Sequence, residues 1–186
     1  MGRRKSGLEL TAFNPLFYES DIGKNSYNIP DEYESTLIDI YTQRTAEIPD
    51  IISDQINNIL QEEFKLPNEI LPTKEELKKW TIDGTNILDF EKWLYNGYFW
   101  MILSENIDDV DIIWNDLWGN LNNNDIMDNI RTKKLYLSDI NKLNNIGKLE
   151  ANAIGMLHTA GNGKLYVTYV DFFILLGRLG ILQISN

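Results

Sequence analysis

A chain of 186 residues is one ordinary domain's worth of sequence, and having no cysteine and a single histidine it excludes disulfides, thiolate catalysis and Cys- or His-pair metal sites. With 43% hydrophobic and 24% charged residues it fits a soluble globular protein able to bury a core. The net charge of −11 is segregated: residues 1–7 carry +3 (Arg3, Arg4, Lys5), residues 8–130 carry −18 and residues 131–186 carry +4.

Met1-Gly2-Arg3-Arg4-Lys5-Ser6 fits a loose lipidation pattern, but a charge directly after the glycine makes a poor acceptor. A nucleic-acid contact through the basic triplet is the better functional reading, set against a plain solvated terminus. Residues 1–30 show neither helical nor strand period, yet contain Phe13, Phe17 and several leucines between prolines and turn residues. They are expected to form an extended arm packed on its own domain or on a neighbouring subunit, followed by one helical domain over 31–186.

Apolar spacing predicts a helix after Asp31 through Tyr33, Leu37, Ile40 and Tyr41, and a second from Pro49 through Ile56, Leu60 and Phe64. Thr73-Lys74-Glu75-Glu76 is a capping box opening a short helix with Leu77 and Trp80, and Asp83-Gly84 is a turn. Residues 87–103 are apolar on nearly every side, which predicts a central buried helix, with a hairpin at Asn96-Gly97 as the rival. A separate helix is expected from Asp108 to Trp118, ended by Gly119, with Asp108, Asp109 and Asp111 in its first turn beside the positive end of the dipole. Ser138 should cap a helix continuing past Leu149, and Lys164 to Val167 a short strand before a helix capped by Thr168 and Asp171. The expected fold class is mainly α: about six helices in a single compact domain, the N-terminal arm, and at most a minor short-strand element near the C-terminus. No internal repeat is visible.

The stretch from His158 to Leu179 superficially resembles one EF-hand. With Gly163 as the central glycine, the calcium positions fall on His158, Ala160, Asn162 and Tyr169, and no bidentate glutamate closes the loop. It reads as a helix–turn–helix connection. The three aspartates at 108, 109 and 111 point in different directions from a helix and cannot converge on a metal. No spacing selects a catalytic pair of acids, so no catalytic, cofactor-binding or metal-ligating residue is assigned, and no cofactor is expected.

All five tryptophans lie within 39 residues, and no Lys or Arg occurs from Trp93 to Ile130. An aromatic core with an acidic outer face accounts for this. The functional reading is a protein-binding surface of Trp114, Trp118, Asp108, Asp109 and Asp111 seeking a basic partner. Together with Arg3, Arg4, Lys5, Phe13 and Phe17 these are the candidate partner-binding residues.

Segregated charge, an apolar arm and the missing catalytic vocabulary point to a non-enzymatic structural subunit of a large assembly. Its partners would be copies of itself and neighbouring proteins, with no membrane involved. The expected setting is a bacteriophage or virion, as a head–tail connector or ring protein, intracellular otherwise. Alternatives are an acidic antagonist or immunity-type protein bound to a basic partner, and a small carboxylate-dependent enzyme.

Overall fold

A computed structural model describes residues 29–122, 129–145, 155 and 164–182. The expected arm, with Arg3, Arg4, Lys5, Phe13 and Phe17, lies outside the described residues except for Ile29 and Pro30, as do His158 and the Gly161–Gly163 turn. Among the described residues the fold is mainly α, with six helices and one two-stranded pair near the C-terminus: α1 Asp31–Glu47, α2 Ser53–Phe64, α3 Lys74–Leu77, α4 Phe90–Asn122, β1 Leu135–Tyr136, α5 Leu137–Asn145, β2 Tyr166–Val167 and α6 Tyr169–Arg178.

Local chemistry sets the helix starts. Pro30 precedes α1, and its carbonyl accepts from the amides of Tyr33 and Glu34; Asp31 is the first helical residue and makes no side-chain cap. Asp31, Glu32 and Glu34 instead supply negative charge to the first turn. The capping box at Thr73 forms as expected, the Glu76 amide donating to Thr73 Oγ1 at 3.3 Å and the Thr73 amide to Glu76 Oε2 at 2.7 Å. Thr168 and Asp171 repeat it at α6, at 3.2 and 2.9 Å. The second helix starts at Ser53, later than Pro49 promised. Residues 51–53 are drawn into backbone pairing: the Ser53 amide donates to the Asn86 carbonyl at 2.9 Å and the Leu88 amide to the Ile51 carbonyl at 2.8 Å.

The largest departure from the sequence reading is α4. The two expected helices are one, 33 residues long, or about 50 Å. Asp89 Oδ1 opens it by accepting from the amides of Glu91 and Lys92, and Asn96-Gly97 and Gly119 both lie inside it. Asp108, Asp109 and Asp111 are therefore mid-helix, and the expected first-turn dipole pairing does not hold. Packing decides this: Ile102, Leu103, Val110 and Trp114 are all fully buried along one continuous stripe, and a helix break at 104–107 would interrupt it. No helix among the described residues is long and apolar enough to cross a membrane.

The other helices lie along this spine. On its first half, Trp93 Nε1 donates to the Leu37 carbonyl at 3.0 Å, the Trp93 ring stacks on Phe64 at 6.3 Å, and Ser104 Oγ donates to the Phe64 carbonyl at 2.6 Å. Further along, Phe99 meets Phe173 of α6 edge-on at 5.2 Å, and Trp114 meets Tyr169 and Phe172 at 6.0 and 5.0 Å. A similar backbone device closes each half. The loop after α1 bridges the segment before α4 through Ile52 and Ile87, and β1 pairs antiparallel with β2, Leu135 opposite Val167 and Tyr136 opposite Tyr166.

Two glycines of α4 separate packing from propensity. A Cβ on Gly97 would stand 2.6 Å from Leu37 Cδ2, a fully buried side chain of α1, so a larger residue there must displace a packed leucine from the helix contact. A Cβ on Gly119 meets nothing within 4 Å. Gly97→Val should destabilise the fold by about 1–3 kcal/mol, whereas Gly119→Ala should stabilise it by about 0.5–1 kcal/mol, both read from denaturant unfolding followed by circular dichroism.

Candidate functional site

Successive helical residues turn by about 100°, so Ile112 stands about 200° from the buried Val110. The structure obeys this: Val110, Trp114 and Trp118 face inward, while Glu105, Asp108, Asp109, Ile112, Asn115, Asp116 and Gly119 form the exposed stripe of α4. Ile112 is 67% exposed, at the centre of that stripe. It has Asp108 and Asp109 one turn before it and Asp116 one turn after. Among the described residues none of these three aspartates has an ion-pair partner. Like charges three and four apart, as at Glu105 with Asp108 and Asp109, cost an isolated helix about 0.2–0.5 kcal/mol per pair. The stripe therefore carries unrelieved repulsion around an unburied isoleucine.

The candidate residues are divided between core and surface. Trp114 is fully buried, with Nε1 donating to the Ile130 carbonyl at 3.0 Å. Trp118 is buried against Trp114, with Lys133 Nζ 5.5 Å above its ring and no acceptor for its Nε1 among the described residues. Both tryptophans are buried rather than displayed: Trp114 fills the junction of α4 with α6 and the turn at 130–132, and Trp118 packs on Trp114 under Lys133. Asp108 and Asp109 remain on the surface. Ile112 was not singled out by sequence, although its place opposite Val110 on the helical wheel was a signal that could have found it.

Asp111 belongs to neither group. At about 100° from Val110 it lies on the border of the buried stripe. Its carboxylate accepts from Arg131 through both oxygens, Nε at 2.9 Å and Nη2, and from the Tyr169 hydroxyl at 2.8 Å. One carboxylate thereby ties α4 to the turn after it and to α6. The side chains of Asp111 and Arg131 are only 22% and 28% exposed, so the pair is shielded from solvent and salt. The hydrogen bond to Asp111 raises the Arg131 pKa above its usual value. Burial, then the bond to Asp111, pushes the Tyr169 phenol up.

Under the N-terminal end of the stripe, the Tyr33 hydroxyl donates to Glu105 Oε2 at 2.7 Å and the Tyr33 ring meets Tyr98 edge-on at 5.1 Å. Burial, with Tyr33 and Glu105 nearby, pushes the Tyr98 phenol up from 10.0 to about 12.

Among the described residues no group of three or more His, Asp or Glu converges to hold a metal. In the loop entering α4 a lysine of the helix reaches back across the turn. Lys92 Nζ donates to the Thr81 carbonyl at 2.7 Å and lies 3.6 Å from the Asp83 carboxylate, across a turn that Gly84 makes at φ +80°.

No known protein family matches the chain. It is similar to the DNA repair protein RAD33 of Saccharomyces cerevisiae. The two are 28% identical over 163 residues, which cover 83% of this chain and 89% of the yeast protein. That likeness overturns the expected virion or bacteriophage connector: the relative is a cellular DNA repair protein, matched along most of both chains, and nothing in the comparison points to a virus or phage. The segregated charge is in part satisfied within the chain, since Arg131 of the basic region pairs with Asp111 of the acidic one. The antagonist and small-enzyme alternatives find no support in it either.

Removing the carboxylate of Asp111 leaves the Arg131 guanidinium without its acceptor and the Tyr169 phenol with only the Ile107 carbonyl, at 3.3 Å. Asp111→Ala should lower stability by about 1–3 kcal/mol, whereas Asp109→Ala, which relieves repulsion with Glu105, should raise it by about 0.2–0.5 kcal/mol. A raised tyrosine pKa means that folding favours the neutral phenol. The stability contributed by Tyr98 is therefore full below pH 10.0 and lost as pH rises toward about 12. Tyr98→Phe should flatten the alkaline fall in stability over that window, measured as unfolding midpoint against pH.

Proposed function

We propose that this chain is a non-catalytic accessory protein of DNA repair that works by binding another protein through the outer face of α4. The similarity to the yeast repair protein over 83% of the chain carries the repair assignment. The charge distribution supports a protein partner for this face. Residues 8–130 carry −18, which repels a phosphate backbone and attracts a basic polypeptide.

The partner that fits is a basic segment with at least one apolar side chain. Its cations relieve the repulsion among Asp108, Asp109 and Asp116, and its apolar residue covers Ile112. On this reading the chain works inside the cell, and its carboxylates bind rather than catalyse. Asp111 holds the helix in place and does not itself meet the partner.

Cells lacking this protein should survive DNA-damaging agents poorly, and the natural chain should restore survival. A chain with Ile112→Lys and Asp109→Lys should fold and accumulate normally, because both positions are exposed, yet fail to restore survival. Full rescue by that variant would remove the α4 face from the function. Normal survival of the cells lacking the protein would remove the repair role itself.

A further inference from the structure

The outer side of the β1–β2 pair differs in character from the rest of the surface. Leu135 and Val167, opposite one another, point into the core at 0% and 2% exposure. Strand alternation then turns Tyr136 and Tyr166 outward. The two rings lie 5.9 Å apart, tilted by 60°, and Lys134 Nζ stands 4.4 Å from the Tyr166 ring centre. Tyr136 is 48% exposed and Leu165, beside it, 74%. The face belongs to the region of the chain that carries +4, whereas the α4 stripe belongs to the region that carries −18.

We propose that this face binds single-stranded nucleic acid, an unpaired base lying on the Tyr136 ring and the adjoining phosphate meeting Lys134. An exposed aromatic ring offers a platform to the face of a base, and only an unpaired strand exposes that face; a duplex presents edges and backbone. Tyr166, tilted against Tyr136, braces that ring, and Lys134 is held beside it over Tyr166, so little side-chain freedom is lost on binding. Stacking carries the affinity, since a chain of net charge −11 gains nothing from long-range attraction to a polyanion. Few phosphates are neutralised, and the salt dependence is correspondingly shallow. This site goes beyond the proposed function, which concerns a protein partner on another helix.

The test is fluorescence anisotropy of a labelled oligothymidylate of about twelve nucleotides, titrated with the full chain. The expected result is saturable binding that Tyr136→Ala and Lys134→Glu each weaken about fivefold or more, consistent with the loss of one stacked base or one phosphate contact. Tyr136→Phe, which keeps the ring, should bind as the natural chain does. So should Lys79→Glu, an exposed lysine of the acidic region, and Ile112→Lys, which separates this site from the α4 face. Circular dichroism confirms that each variant is folded. Three results would overturn the proposal: no saturable binding, equal binding by folded Tyr136→Ala, or competition by a duplex of the same length as effective as by single strand.

Discussion

A helix of 33 residues cannot be covered by any single neighbour, and the rest of the described structure answers that constraint. The spine is apolar on nearly all sides in its first half and on one stripe in its second. The first half is accordingly wrapped by α1 and α2, with Trp93 and Phe64 stacked between them and Gly97 letting Leu37 approach. The second half is covered on one side by α6 and the turn at 130–132 through Trp114, Phe172 and Tyr169. Among the described residues the stripe around Ile112 stays uncovered, because none of the neighbouring helices packs on that side.

Charge is divided by the same geometry. Of the acids on the second half of α4, the one at the border of the buried stripe is ion-paired with Arg131 and accepts a hydrogen bond from Tyr169. Its neighbours Asp108 and Asp109 point away and have no ion-pair partner among the described residues. The basic C-terminal region thus spends one cation on the fold at Arg131, others on helix-end pairs at Lys142 and Lys164, and leaves Lys134 over a tyrosine at the surface. The exposed pairs contribute little to stability, while the shielded one at Asp111 contributes through the cost of leaving its partners unmet. The chain thus presents an acidic helix face in one place and a cationic, aromatic strand face in another.

Lysines of the chain itself brace two of the loops. Lys92 fills the loop before α4 with its own ammonium, and Lys164 bridges to Asp171 at the start of α6. Pairing of the loops through Ile52 and Ile87, and through Leu135 and Val167, then fixes the helices at each end of the spine. The repeat of this device in the two halves has no counterpart in a repeated sequence, because backbone pairing asks only for an extended apolar residue on each side.

The sequence alone determined the helical class, the capping boxes at Thr73 and Thr168, the turn at Asp83-Gly84 and most of the core, since each depends on residue chemistry within a few positions. It could not determine that the helices at 90 and 108 are one. Gly97, Gly119 and the acids at 108–111 each resemble local stop or start signals, and only burial of the stripe through Leu103, Val110 and Trp114 overrides them. Nor could it tell a tryptophan of the core from one of the surface, or a paired aspartate from a free one. Trp114 and Ile112, Asp111 and Asp109 are close in sequence, and their fates were decided by what the fold brought opposite them: Ile130, Arg131 and Tyr169 on one side, solvent on the other.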